Sequence, residues 1–239
     1  MSVKPEINPN KIVVFTGAGI SAESGLQTFR DSNGLWNNVD VADVATPEAW
    51  EANPQFVLDF YNTRRKEAFE ASPNPAHYAV AKLEEKYEVV VITQNVDDLH
   101  ERAGSSKVIH VHGLLKNARS SVNDALLYLY DQGKPIQMGD LCEEGSQLRP
   151  DIVWFGEQIH HYETARKQLV AAGKVLVVGT SLSVFPAADI LKKARYNAEK
   201  IIVTKQIDKR PAGFKLLRGN ASSLIPSIVD DWLHGRSVS

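Results

Sequence analysis

The stretch KIVVFTGAGISAESGLQTFRDSNGLW, Lys11 to Trp36, decides the fold of this chain. Its short apolar run, Ile12 to Phe15, reads as a buried parallel strand. The run meets a small-residue turn, Gly17-Ala18-Gly19, and then an expected helix start. A turn of this kind lets backbone approach a pyrophosphate, and the free N–H groups at a helix start bind it. GAGISA fits G-x-G-x-x-A, but small-residue turns also follow strands that bind nothing, so the turn alone leaves both readings open. Hydride-transfer enzymes hold the ribose with an acidic residue about 20 positions on. Asp40 has that spacing but no evident strand end, so a dinucleotide bound here is bound differently from one in a dehydrogenase.

Outward from this stretch, four more β-branched runs read as strands: Val89–Thr93, Val108–Val111, Val175–Gly179 and Ile201–Thr204. Asn53-Pro54 opens a helical pattern over Gln55–Glu70, and Asn74-Pro75 opens another over Ala76–Lys86, each with an N-cap Asn and a proline at the first helical position. Further helices are predicted over Ala187–Arg195 and, after Pro226, over Ile228–His234. The alternation predicts an α/β fold, a Rossmann-like, mainly parallel sheet with helices on both faces. Residues 8–30, 74–114 and 150–236 are assigned to it. Residues 31–73, mainly helical, and 115–149, polar with one apolar cluster LLYLY at 126–130, are expected to form a smaller lobe from two insertions.

The 239 residues are 43% hydrophobic with a formal charge of -2, which predicts no broad attraction to nucleic acid or to an anionic membrane. No apolar run reaches the roughly 18 residues of a membrane span, and MSVKPEINPN lacks a signal-peptide core, so a cytoplasmic location is expected. The single cysteine, Cys142, excludes an intrachain disulfide and any site built on several thiolates.

Two polar clusters follow predicted strands and so fall at the carboxyl edge of the sheet, where open α/β folds bind ligands. In Thr93-Gln94-Asn95-Val96-Asp97-Asp98-Leu99-His100, the amides and Asp97 suit a ribose and a carboxamide; a plain helix N-cap from Asn95 or Asp97 explains them equally well. In His110-Val111-His112-Gly113, two histidines at i and i+2 face one way. With no cysteine or third histidine nearby, a metal is disfavoured. A histidine at this edge suits general-base work, although a strand-end histidine is commonly structural.

GAGISAESGLQTFR, TQNVDDLHERAG, HVHG, LRPDIVWFGE and GTSLSVFPAA together resemble, in order and spacing, the sirtuins, the NAD-dependent protein-lysine deacylases. The likeness runs from about Lys11 to Leu233 and is greatest to the bacterial and mitochondrial type that prefers acidic acyl groups. It implies NAD as cofactor and acylated lysine side chains of proteins as substrates. The implied products are free lysine, nicotinamide and O-acyl-ADP-ribose. His112 would be the base, with Asn95 and Asp97 seating the nicotinamide carboxamide and Gln94 the ribose. Gly17, Ala18, Gly19, Ser21, Ala22 and Arg30 would cradle the pyrophosphate, and Phe29 would shield the reactive ribose carbon from water. Gly179, Thr180 and Ser181 would contact the adenosine side. Val153, Trp154, Phe155, Gly156 and Glu157 would pair with the substrate peptide by strand addition.

Tyr61 and Arg64 lie three apart on a predicted helix and so share a face. A guanidinium beside a phenol suits a carboxylate. Sirtuins that remove succinyl, malonyl or glutaryl groups carry such a Tyr-x-x-Arg pair, and Ala45 falls where they keep a small residue. A plainer alternative is a half-buried tyrosine and a solvated arginine, the latter paired with Glu67. Most of the family holds a structural zinc through four cysteines; here ARSS stands where a cysteine pair would begin, so no structural zinc is expected and LLYLY is expected to hold the smaller lobe together. Thr204 replaces an adenosine-contacting Asn. The same cofactor site would also serve ADP-ribosyl transfer or NAD hydrolysis, and a non-catalytic NAD or peptide sensor is a third reading, against which an intact His112 counts.

Overall fold

A computed structural model describes residues 6–28, 35–36, 39–130, 133–207 and 209–238. Its strands are β1 (Asn8–Thr16), β2 (Leu35–Trp36), β3 (Val39–Asp40), β4 (Glu88–Thr93), β5 (Val108–His110), β6 (Gly113–Ser120), β7 (Leu127–Leu129), β8 (Leu148–Ile152), β9 (Ala172–Val178), β10 (Glu199–Val203) and β11 (Lys215–Leu217). Its α-helices are α1 (Pro47–Ala52), α2 (Pro54–Glu70), α3 (Pro75–Lys82), α4 (Leu99–Arg102), α5 (Tyr162–Val170) and α6 (Ala221–Leu233).

Side-chain alternation along the apolar runs builds the main sheet. Ile12 and Val14 of β1 enter one apolar layer, Val13 and Phe15 the other; Val89 and Val91 of β4 divide from Val90 and Ile92 in the same way. Both faces are therefore apolar, as a parallel sheet covered on both sides requires. The six strands run parallel in the order β11-β10-β9-β1-β4-β5. Helices α3 and α6 cover one face, with Ala76, Val80, Ile225 and the fully buried Trp232. Helix α5 and a 3-10 stretch, Ala187–Lys193, cover the other.

Three expectations change in detail. The segment expected as a helix over Ala187–Arg195 is 3-10 over Ala187–Lys193. Helix α3 ends at Lys82 and tightens into a 3-10 turn, Leu83–Glu85. Pro226 lies inside α6, which starts at Ala221 rather than after the proline. A proline there removes one helical bond, at a cost of about 3 kcal/mol. Burial of Ala221, Ile225, Ile228, Val229 and Trp232 against the sheet outweighs it.

Beside the main sheet, β7-β6-β8 form a small antiparallel sheet over which α1 and α2 pack. The apolar cluster at 126–130 contributes less here than expected. It is a strand with two faces: Leu126, Tyr128 and Tyr130 pack inward, while Leu127 and Leu129 are exposed. The stronger tie is Arg65 of α2, which is only 2% exposed. Its guanidinium donates to the backbone oxygens of Leu115, Tyr130, Lys134 (3.3 Å) and Asn117 (3.4 Å), gathering β6 and the backbone at Tyr130 and Lys134 onto the helix. Burial lowers its pKa to about 10, which leaves it charged at neutral pH. Among the described residues no group of three or more His, Cys, Asp or Glu side chains is placed to hold a metal ion, and Cys142 is a buried free thiol. No described helix is long and apolar enough to cross a membrane.

Arg65→Met should lower unfolding stability by about 3–5 kcal/mol, because it strips a charged donor from several buried carbonyls. Urea unfolding checks this, and a loss below about 1 kcal/mol would show that Arg65 is not the tie. Treatment with EDTA should leave the same midpoint unmoved, and stoichiometric zinc in untagged protein would contradict the expectation of a zinc-free lobe.

Candidate active site at the carboxyl edge of the sheet

Register places the site. Thr16 of β1 pairs with Thr93 of β4 and Val178 of β9, and Thr93 pairs with His110 of β5. The loops beginning at Gly17, Gln94, Val111 and Gly179 therefore leave the sheet side by side. The first and last touch backbone to backbone. The N–H of Gly19 donates to the Gly179 oxygen at 2.8 Å, and a Cβ on Gly19 would fall 2.7 Å from that same oxygen. Gly179 has φ +64, and a Cβ there would meet the Ile20 nitrogen at 2.2 Å. Only glycines allow this approach. The expected helix after the turn is not present. Ala18–Ile20 and Ala22–Ser24 are two single 3-10 turns, so an anion here would be met by individual N–H groups rather than by a helix terminus.

Asn95 and Asp97 are both buried and share one partner from the glycine loop. Ser21 Oγ donates to Asp97 Oδ2 (3.0 Å), and Asn95 Nδ2 donates to Ser21 Oγ (3.1 Å). Asp97 Oδ1 also accepts from the N–H of Leu99 at 3.1 Å, so the helix-start role and the loop-bridging role belong to one carboxylate. Burial raises the Asp97 pKa, opposed by these same bonds. Behind them, Thr93 Oγ1 accepts from the N–H of Asn95 (3.0 Å) and from the Thr16 hydroxyl (2.8 Å). Asn95 Oδ1 is a buried acceptor with no partner among the described residues. A carboxamide NH2 is the kind of group that would satisfy it, and on this observation the residues fit a nicotinamide dinucleotide.

Gln94 Nε2 donates to Thr180 Oγ1 at 3.1 Å, tying the β4 loop to the Gly179-Thr180-Ser181 turn. Its backbone oxygen accepts from His112 Nδ1 at 3.1 Å. A carbonyl only accepts, so Nδ1 carries the proton and Nε2 keeps a lone pair. Burial lowers the His112 pKa, with His160 adding to the effect, which favours the neutral imidazole a base requires. The other histidine of the motif faces different partners: His110 Nδ1 lies 3.1 Å from the Asn95 oxygen and Nε2 2.7 Å from Glu101 Oε1. Neither ring lies in a metal-binding group.

The predicted substrate side also converges. Ala45, Tyr61 and Trp154 share one apolar cluster, and the Ala45 oxygen accepts from the N–H of Phe155 at 2.9 Å. Tyr61 is fully buried rather than half-buried, and its hydroxyl accepts from Trp154 Nε1 at 3.1 Å. Arg64 Nε donates to Glu67 Oε2 at 2.9 Å, as the plainer alternative had it, but its side chain is 11% exposed rather than solvated, and its guanidinium lies over the Phe60 ring. The segment Val153–Glu157 is a turn rather than an extended strand, with Gly156 at φ +93. The N–H groups of Val153, Trp154, Phe155 and Glu157 are engaged within the chain. The Glu157 side chain turns inward to Arg119 (3.0 Å) and Arg149. Thr204 is buried, with its hydroxyl on the Gln206 oxygen. Phe29 and Arg30 lie outside the described residues. A cleft of about 900 Å³ lies beside β5 and is lined by His110, Arg119, Asp151, Glu157 and His160; the glycine loop and Gln94 are not part of it, so size alone does not mark the site.

Sequence reasoning missed Arg65, the Glu101 partner of His110, and the Thr16–Thr93 pair. None has a local signal, since each is defined by a partner on another element.

Comparison with known proteins agrees with this geometry. The Sir2 family model matches residues 17–186. An NAD-dependent protein deacylase of Helicobacter pylori is 51% identical over 187 residues, 78% of this chain and 81% of the relative. One from Vibrio cholerae is 42% identical over 231 residues, 93% of each. Among solved structures, a Sir2 homologue–ADP-ribose complex aligns with TM-score 0.84 at 35% identity, covering 96% of this chain and 95% of that one. A Sir2 homologue–NAD complex aligns with TM-score 0.81 at 36% identity, covering 95% and 91%. The glycine loop, the Asn95–Asp97 cluster and His112 thus sit in a chain that belongs to the Sir2 family.

Proposed function

We propose that the chain is an NAD-dependent protein-lysine deacylase, converting acyl-lysine, NAD and water to lysine, nicotinamide and O-acyl-ADP-ribose. The observation that carries this is the His112 tautomer: Nδ1–H on the Gln94 oxygen, Nε2 unprotonated, on the loop edge shared with the unpartnered Asn95 Oδ1. NAD supplies an electrophilic ribose carbon and nicotinamide as leaving group. Gly17, Ala18, Gly19, Ser21 and Ala22 border the pyrophosphate side, with Gly179, Thr180 and Ser181 toward the adenosine. Asn95 and Asp97 orient the carboxamide. His112 Nε2 removes a proton from a ribose hydroxyl, and the hydroxyl oxygen takes the acyl group. Residues 8–30, 74–114 and 150–236 make up the Rossmann-like lobe of this reading, and residues 31–73 and 115–149 the smaller lobe.

The same reading gives acidic acyl groups to the Tyr61–Arg64 pocket. Trp154 donates to the Tyr61 oxygen, so the phenol's own proton is available to a ligand acceptor, and burial raises the Tyr61 pKa, keeping that proton on. The Arg64 guanidinium already donates to a carboxylate, that of Glu67, the kind of group a succinyl chain would present.

Acetyl-, malonyl-, succinyl- and glutaryl-lysine peptides, assayed with NAD for nicotinamide and O-acyl-ADP-ribose, test both levels. His112→Ala should cost about 10²–10⁴-fold in turnover with the fold intact. Modified protein or free ADP-ribose as the main product would point instead to ADP-ribosyl transfer or NAD hydrolysis. Arg64→Met should depress desuccinylation far more than deacetylation, and an equal loss for both would remove the carboxylate pocket. Because the His112 pKa is lowered, the neutral base is present at pH 7 and is lost only as pH falls below about 6.5. The acid limb of kcat/KM should therefore lie below that value; a limb above pH 7 would contradict the assignment.

A further inference from the structure

HVHG holds a second histidine to which the deacylase reading gives no task. His110 and His112 face successive backbone oxygens of the β4 loop, those of Asn95 and Gln94, each at 3.1 Å. His112 ends there. His110 continues, with Nε2 2.7 Å from Glu101 Oε1 on α4. A carbonyl and a carboxylate are both acceptors, so a ring satisfying both carries two N–H groups. The Asn95 segment is gripped from three sides: Ser21 holds its amide, Thr93 its N–H and His110 its carbonyl.

We propose that His110 is a positioning residue, a doubly donating clasp between the Asn95 carbonyl and Glu101 that holds Asn95 and Asp97 in place to seat the nicotinamide carboxamide. This rests on the deacylase reading above. The two histidines then divide the labour: His110 serves the step that releases nicotinamide, and His112 the step that follows. The surroundings support the charged ring. Glu101 and, from the loop after β4, Asp97 favour the cation and raise its pKa against the burial that opposes it. His100, the histidine of α4, is kept neutral by its own burial, with His77 and His110 adding to the effect. Lys116 helps hold Glu101 ionised. On the open side of β5, Arg119, Asp151, Glu157 and His160 line the neighbouring cleft. Above its pKa the neutral ring has one N–H for two acceptors, and the grip on Asn95 weakens.

The test combines NMR with exchange kinetics on the full-length protein. Nitrogen-15 spectra of wild type at pH 7 should show both His110 ring nitrogens protonated and His112 protonated on Nδ1 alone; a single N–H on His110 overturns the clasp. Exchange of labelled nicotinamide into NAD, driven by an acetyl-lysine peptide, reads the first step. His110→Phe and Glu101→Ala should slow it about tenfold or more, in keeping with loss of a charged hydrogen bond. Wild-type exchange in Glu101→Ala also overturns the clasp. Glu101→Gln should recover most of the rate, because its amide donates to a neutral Nε2 while Nδ1–H keeps Asn95. It should also remove the fall in exchange at alkaline pH that wild type shows. A merely structural role predicts no such rescue and no such change in pH profile. Asn95→Ala separates the two readings: if it leaves exchange intact, the carboxamide seat fails, while the NMR result still decides the clasp.

Discussion

One hydrogen bond orients the histidine on which the proposed chemistry depends, that from His112 Nδ1–H to the Gln94 oxygen. It fixes which nitrogen holds the proton, and it exists because parallel pairing of β4 with β5 brings the ends of the two strands together. From that reference the rest of the edge follows. Gln94 reaches Thr180 on the neighbouring loop, Asn95 and Asp97 meet at Ser21, and the Thr16–Thr93 pair sits behind them on the same row of the sheet. The Gly19–Gly179 contact closes the arrangement from the other side, where a methyl group on either residue would push the loops apart. The edge is preorganised by the protein's own bonds, and such fixed dipoles and donors need no rearrangement at the moment of reaction.

The smaller lobe solves a different problem. A short antiparallel sheet with exposed Leu127 and Leu129 buries little on its own, and Arg65 compensates by binding several of its carbonyls at once. The same lobe is tied to the segment after β8 through side chains. Arg149 lies 3.8 Å over the Trp154 ring, Trp154 donates to Tyr61, and Glu157 joins Arg149 to Arg119. A polar chain through an otherwise apolar cluster fixes orientation as well as stability, since each member left unpaired would be costly.

Sequence made the main sheet legible because a strand covered on both faces must be apolar through its covered stretch, as Ile12–Phe15, Val89–Ile92, Val175–Val178 and Ile201–Val203 are. The helices opened by Asn53-Pro54 and Asn74-Pro75 were legible for a local reason, as both asparagine side chains cap the helix N-terminus. Pro226 misled, because its local cost is smaller than the burial gained by the whole of α6. The site motifs could be found by type and order, whereas their joints could not: Ser21 to Asp97 spans 76 positions, and Arg65 binds backbone oxygens, which every residue possesses. Charge state was equally hidden. Two histidines two positions apart receive opposite shifts because burial prevails at His112, whereas at His110 the Glu101 carboxylate outweighs it.

The most direct measurement is a crystal structure of the chain with NAD and an acylated lysine peptide bound together. The account requires His112 Nε2 within hydrogen-bond reach, about 2.6–3.2 Å, of a ribose hydroxyl. It also requires the nicotinamide carboxamide on Asn95 Oδ1. A ring turned from the sugar, with the dinucleotide seated away from the Gln94–Asp97 loop, would contradict it.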